Sequence, residues 1–206
     1  MVLIVCALRE ELASFAGRPY VTVMQSGIGT VESAIATARA LAATRFTLVI
    51  NAGIAGGFRD HVSVGDSVAV IEEHYVEIGR EDGLLLDLPN GAMLDDKVIS
   101  DPRLLSPYKE GLLGSHLGNG VTSATVTTSD ERAALLAKKF NPMIESMEGF
   151  SVLRAARRAG VPAIELRGIS NIVGNRASNQ WDFYAGSMAA VRAVEAFLDN
   201  LDLGFA

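Results

Sequence analysis

The stretch FTLVINAGIAGGF, Phe46 to Phe58, joins an apolar run to a cluster of glycines. An unbroken run of this kind suits a strand buried on both faces, which is the habit of parallel sheets. The glycines after it read as a loop at the strand's carboxyl end. Ligands of α/β sheets bind outside that end, and a glycine lets a ligand come close to backbone N–H groups. A tight turn needing left-handed backbone would use the same glycines, and this stretch alone does not separate the two. It is not the dinucleotide fingerprint, which needs G-x-G-x-x-G opening a helix and an acidic residue about 20 positions on. A nicotinamide cofactor is not expected, nor any other.

Working outward, Val2–Leu8 (VLIVCAL) is a second fully apolar strand and Tyr20–Gln25 a third, followed by the turn SGIGT. Thr30–Ala43 is Ala-rich with helical spacing. Val64–Ile78 reads as one or two strands. Gly79–Gly118 holds Pro89, Pro102 and Pro107 and reads as loop with one helix at most. Asn119–Thr128 has the β-branched content of a strand, and Ser129 or Asp130 caps a helix to Phe140. MIESM is a short strand, Glu148–Ala159 a helix stopped by Gly160 and Pro162, PAIELRGIS a strand, and Ala185–Leu201 the closing helix. Strands and helices alternate, which predicts an α/β fold: a three-layer αβα arrangement around a mixed, largely parallel central sheet. No repeat or linker interrupts residues 1–206, so one domain is expected.

The 206 residues are 49% apolar, with 20 Gly, 6 Pro and one cysteine, Cys6. That length buries a core without staples. A net charge of −6 argues against a nucleic-acid partner. No run is long enough for a membrane span, the apolar start is too short for a signal peptide, and Cys6 has no disulfide partner. A cytoplasmic protein is expected. His61, His74 and His116 have no His or Cys at ligand spacing, so no metal site is expected. The G-x-S-x-G nucleophile motif is absent.

Four polar elements fall at strand ends. LREEL puts Glu10 and Glu11 after the first strand, SMEGF puts Glu148 at a strand-to-helix junction, RGISN ends a strand on Ser170 and Asn171, and NAGIAGG supplies Gly53 and Gly56. Each acid alone also fits a helix start, where the dipole favours it, and Asn171 alone also fits a turn. Together, on one edge of one sheet, they can converge on one pocket.

CALREEL, SGIGTVESA, NAGIAGGF, ESMEG and ELRGISN occur here in the order that resembles the nucleoside phosphorylase/nucleosidase superfamily. The resemblance covers nearly the whole chain and is weakest over Gly79–Gly118. The segment SMEG…RGISN…WDF is most similar to the superfamily's futalosine hydrolase branch, with the methylthioadenosine/S-adenosylhomocysteine nucleosidases next to it. The resemblance implies N-ribosyl hydrolysis of futalosine to hypoxanthine and dehypoxanthine futalosine in menaquinone biosynthesis, and a homo-oligomer. By position it gives Glu11 as the carboxylate that activates water and Met147 and Glu148 as the ribose-binding pair. Ala55 and Gly56 become loop residues near the ribose and base, and Asn171 the residue facing the purine N7 edge.

Asn171 departs from the adenine-releasing relatives, which carry Asp. A 6-oxopurine shows acceptors at both N7 and O6, which an Asn NH₂ satisfies with no unusual pKa. A carboxylate facing O6 would oppose acceptors, a buried mismatch of about 1–3 kcal/mol. Asn171 therefore suits hypoxanthine. Water needs a general base, whereas phosphate, already an anion, needs Arg and N–H donors. The two adjacent acids of REEL would repel phosphate, and the Gly-Asp-Pro loop that the superfamily's phosphorylases resemble is missing. Hydrolysis is favoured over phosphorolysis, and over a nucleoside-binding protein that would need neither Glu11 nor Glu148. Ser170 is placed to orient Asn171 and Arg167 to pair with a buried Glu. Trp181 and Phe183 are candidates for a slot taking the aromatic 5′ group, equally readable as core, and Arg176 is a candidate cation for its carboxylate.

Overall fold

The computed structural model describes residues 1–79, 88–92, 94–109, 113–174 and 181–204. In chain order the elements are β1 (Val2–Cys6), β2 (Val21–Gln25), α1 (Thr30–Ala43), β3 (Leu48–Gly57), β4 (Ser67–Tyr75), β5 (Lys97–Ile99), α2 (Ser106–Lys109), β6 (His116–Thr122), α3 (Asp130–Phe140), β7 (Ile144–Ser146), α4 (Gly149–Arg158), β8 (Ala163–Ile172) and α5 (Phe183–Gly204). The eight strands form one mixed sheet. Five pairings are parallel, β1–β2, β1–β3, β3–β8, β4–β6 and β6–β7, and three antiparallel, β3–β7, β4–β5 and β4–β8. The largely parallel, mixed sheet expected from the alternation is present.

Period-two alternation along the strands sorts side chains between two helix layers. Leu3, Val5 and Val49 face Phe150, Val152, Leu153 and Ala156 of α4, backed by Ala40 and Leu41 of α1. Val2, Ile4, Cys6, Leu48, Ile50, Ile164 and Leu166 face Val191, Val194, Phe197 and Leu198 of α5. Past this sandwich the sheet curls. The first half of β3 pairs with β1, whereas Gly56 and Gly57 pair with β7. Following β3–β8–β4–β6–β7 and back to β3 closes a ring of strands.

Three expectations need correction. The glycines of NAGIAGG are not a loop: they are the second half of β3, paired with β8 through Gly57 and shifted in register between Ala55 and Gly56. What they supply is room. A Cβ on Gly57 would stand 2.5 Å from Val62 Cγ2 and 2.8 Å from Ile169 Cγ2. The strand expected over Asn119–Thr128 is β6, which begins at His116 and ends at Thr122. Its β-branched tail instead turns back, and Thr127 donates to Glu145 from both its N–H and its hydroxyl. The unreadable stretch Gly79–Gly118 holds the short strand β5 and the single-turn α2 among its described residues, too short for a periodic signal. Elsewhere, α1 runs over the predicted Thr30–Ala43, and Ser129 Oγ caps α3 by accepting from Arg132 N at 3.2 Å. No helix of the described residues is long and apolar enough to cross a membrane.

Candidate active site

Glu11 sits on a single 3₁₀ turn, Arg9–Leu12, directly after β1, and its side chain is buried. Glu11 Oε2 accepts from Leu8 N at 2.9 Å, and Glu11 Oε1 accepts from Ile54 N at 3.0 Å. The carboxylate thereby ties the segment after β1 to the second half of β3. This requires Gly53, because a Cβ there would lie 2.7 Å from Glu11 Oε1. Burial pushes the Glu11 carboxyl above the ordinary glutamate value, while Arg167 and the two N–H donors pull it back. Its neighbour Glu10 is exposed. The pair of acids in REEL therefore does not act as a pair: only Glu11 turns inward.

The second carboxylate comes from elsewhere. Glu148 lies between β7 and α4, buried, with Met147 beside it. Its Oε1 accepts from Gly29 N at 3.0 Å, and its Oε2 is 3.5 Å from Arg167 Nη2. The turn SGIGT is thus drawn to Glu148, with Gly27 and Gly29 at φ +87° and +92°, a left-handed region that favours glycine. Arg167, on β8, is 1% exposed. It donates through Nε to Glu165 Oε1 at 2.8 Å and through Nη1 to Ile54 O at 3.3 Å. Asn51, with its amide turned to satisfy both its atoms, accepts from Arg167 Nη2 at 2.9 Å and donates to Val5 O at 3.2 Å. Burial opposes the guanidinium's charge, but Glu165, Glu148 and Glu11 around it more than restore it.

The third component is the end of β8. Ser170 Oγ donates to Asn171 Oδ1 at 2.9 Å and lies 3.3 Å from Ala55 O. Among the described residues, Asn171 Nδ2 makes a single long contact, 3.4 Å to Ile172 O. The amide oxygen is therefore committed, and the NH₂ is what Asn171 offers a ligand. Asp182 N donates to Ser170 O at 2.7 Å, and Asp182 Oδ1 accepts from Ala185 N at 2.9 Å. That clasp starts α5 beside β8 and brings Trp181 and Phe183 to the site.

All of these converge on one cleft, lined by Glu11, Ile54, Ala55, Gly56, Met147, Glu148, Ser170, Asn171, Trp181 and Phe183, with Ile28 and Val126 at its edge. Of the residues expected from the sequence, Glu11, Ala55, Gly56, Met147, Glu148, Ser170, Asn171, Trp181 and Phe183 are among its walls, whereas Glu10, Gly53 and Arg167 are not. Arg176 lies outside the described residues. Glu145 also lines the cleft, but its carboxylate is taken by Thr127. No Lys or Arg lines the cleft among the described residues, and none of their acids, histidines or cysteines group as metal ligands. Asn51 and Glu165 were not anticipated. A signal for Glu165 does exist: an acid two residues before an Arg, inside an otherwise apolar buried strand, must be paired.

Comparison with known proteins agrees with this geometry. The model of the Phosphorylase superfamily matches residues 6–201. Futalosine hydrolase of Thermus thermophilus is 32% identical over 180 residues, 85% of this chain and 80% of that protein. Futalosine hydrolase of Streptomyces coelicolor is 36% identical over 169 residues, 77% of this chain and 70% of that protein. Among solved structures, 5′-methylthioadenosine/S-adenosylhomocysteine nucleosidase of Neisseria meningitidis, in complex with methylthio-immucillin-A, superposes with a TM-score of 0.81 at 21% identity, covering 97% of this chain and 98% of that one. At that identity the likeness speaks for the α/β fold alone.

Proposed function

The chain belongs to the phosphorylase superfamily, and on that premise we propose that it hydrolyses the N-ribosidic bond of futalosine, releasing hypoxanthine. The observation that carries the choice of base is the Ser170–Asn171 hydrogen bond of 2.9 Å. With its oxygen held, Asn171 presents N–H to the cleft, and a 6-oxopurine presents the matching acceptors N7 and O6. The relatives of 32% and 36% identity carry the same activity in their names.

Cleavage passes through an oxocarbenium-like sugar. Glu11 takes the proton of the attacking water, and its raised pKa suits a base working near neutrality. Glu148 accepts from the ribose hydroxyls and sets negative charge beside the forming cation, with Met147 against the sugar. Ala55 and Gly56 hold the ribose and base from β3. Asn171 stabilises charge on the leaving purine, oriented by Ser170. Trp181 and Phe183 receive the aromatic 5′ group. Water rather than phosphate is the nucleophile, because Glu11 and Glu148 both line the cleft and no cation does among the described residues. This corrects the basis of the sequence argument, since the repelling pair is Glu11 with Glu148.

The substrate is a small nucleoside, met in the cytoplasm, and residues 1–206 work as one domain. A homo-oligomer is supported by Ile28, Val31 and Ile35, which are 50–66% exposed along the start of α1. The deciding experiment incubates the purified protein with futalosine, inosine and methylthioadenosine, with and without phosphate. Hypoxanthine from futalosine without phosphate is expected. Adenine from methylthioadenosine, or strict phosphate dependence, would overturn the reading.

A further inference from the structure

Behind the cleft lie two acids that the proposed chemistry does not use. Glu73 of β4 and Glu165 of β8 are both fully buried. Glu73 Oε1 accepts from Thr122 Oγ1 at 2.6 Å and from Ser146 Oγ at 3.4 Å. Glu165 Oε1 accepts from Arg167 Nε at 2.8 Å, and Gly149, which lies against the Glu165 carboxylate, donates its N–H to the same Ser146 Oγ at 3.2 Å. The remaining oxygens, Glu73 Oε2 and Glu165 Oε2, are buried without a hydrogen-bond partner. Their strands are adjacent, with Val70 opposite Glu165 in the ladder. The space around them is made by glycine. A Cβ on Gly120 would stand 1.8 Å from Glu73 Oε2, and one on Gly149 would stand 2.5 Å from both Glu165 oxygens.

Two carboxylates in one dry site cannot both ionise, and a buried acceptor without a donor is costly. One proton answers both problems, because it turns one orphan oxygen into a donor and the other into its acceptor. We infer that Glu73 and Glu165 share a single proton, carried on Glu73 Oε2 and donated to Glu165 Oε2, and that Glu165, left negative, is a positioning residue that holds Arg167. The charged groups facing the pair are Arg167 from β8 and, across Arg167, Glu148 ahead of α4. Burial, then the nearness of Glu165, pushes Glu73 well up, while Arg167 favours the charged form of Glu165. The proton thus resides on the acid farther from the guanidinium's hydrogen bond.

The arrangement matters to the reaction. With Glu165 balancing its charge, Arg167 draws less on Glu11, which keeps the basicity it needs. This part rests on Glu11 being the base.

The test uses Glu73→Gln and Glu165→Gln. The folded protein retains a proton on the pair where the unfolded chain, with ordinary glutamates, has lost it. Above the unfolded value the wild-type protein must therefore lose stability as pH rises. Glu73→Gln reproduces the protonated pattern, with an NH₂ for Glu165 Oε2, and removes that proton. Between pH 6 and 8 the unfolding constant of the wild type should rise about tenfold more per pH unit than that of Glu73→Gln. An infrared difference spectrum at pH 8 should show a carboxylic-acid carbonyl in the wild type that Glu73→Gln lacks. Parallel stability curves, or no such band, would overturn the shared proton. For the positioning role, Glu165→Gln should move the acid limb of the kcat/KM profile for futalosine down by about one pH unit, as Arg167 turns its charge on Glu11. Glu73→Gln should leave that limb in place. A loss of turnover in Glu165→Gln with the limb unmoved would make Glu165 merely structural. If Glu165→Gln does not fold, the stability slope and infrared band of Glu73→Gln decide. Neither depends on substrate, so they stand even if futalosine proves to be the wrong nucleoside.

Discussion

Asn171 and Glu11 differ in how their hydrogen bonds constrain a substitution. Ser170 fixes the Asn171 oxygen at 2.9 Å, so Asn171→Asp places a second acceptor where the cleft now offers N–H. Against a 6-oxopurine that mismatch costs about 1–3 kcal/mol, or roughly five- to 150-fold in kcat/KM. Adenine nucleosides should lose far less, because their amine can donate to the new carboxylate. Steady-state rates on futalosine and methylthioadenosine check this, and an equal loss on both would refute it. Glu11→Gln is harsher. Both Glu11 oxygens accept backbone N–H groups, at 2.9 Å from Leu8 and 3.0 Å from Ile54, and a Gln NH₂ must face one of those donors. Turnover should fall by about 10²–10⁴, the worth of a general base, with a lowered melting temperature, while futalosine binding measured by calorimetry persists. Near-normal turnover would remove Glu11 from its role. Both residues were legible in the sequence because each is a polar type at a strand end. Arg167 was expected to pair with a buried Glu, but which Glu, and the part of Asn51, were not legible, because Asn51, Glu165 and Arg167 lie within strands and meet only through the sheet.

The elements show a sharper division between what pattern reveals and what packing decides. Where an amphipathic or apolar period lasts several turns or a full strand, as in α1, α4 and β8, the sequence carries the element in its own side chains. NAGIAGG is strand rather than loop because β3 uses its glycines as space and not as backbone freedom. Gly53 admits Glu11, and Gly57 admits Val62 and Ile169. Gly168 is the same device between β8 and α5. A Cβ there would lie 1.9 Å from Gly186 O and 2.5 Å from Ala190 N, both backbone. Backbone cannot rotate away, so Gly168→Ala must push α5 off the sheet. A loss of about 1–3 kcal/mol or more is expected in denaturant unfolding. KM for futalosine should rise as well, because Trp181 and Phe183 enter the cleft at the start of α5. Gly114, with nothing within 4 Å of its Cβ, is the control, and Gly114→Ala should change neither. Equal stability of the two variants would mean that α5 does not seat on β8 as described.

At the scale of the whole molecule, an apolar surface along α1 stands uncovered among the described residues. Val31 and Ile35, one helical turn apart on α1, are 66% and 50% exposed, and Ile28 just before them is 55% exposed. With Ala34, Ala38 and Leu41, Val31 and Ile35 form the apolar wall of a trough whose other side runs from Phe150 to Ala159. Contiguous apolar surface of this kind marks an interaction site rather than ordinary solvent exposure. The trough adjoins the cleft, since Ile28 lines the cleft and Thr30, two residues on, lines the trough. A second copy seated on α1 would therefore cover the trough and close the mouth where the 5′ group must lie. No cation lines that mouth among the described residues, although a carboxylated 5′ group needs one or a set of N–H donors. The purified protein should sediment as a dimer or larger. Ile35→Glu, which sets a charge in the middle of the stripe without touching the core, should shift it toward monomer at micromolar concentration. If the partner completes the mouth, the same variant should raise KM for futalosine at low protein concentration and recover as concentration rises. A wild-type protein that sediments as a monomer at all concentrations, with Ile35→Glu kinetically silent, would leave the cleft complete within one chain.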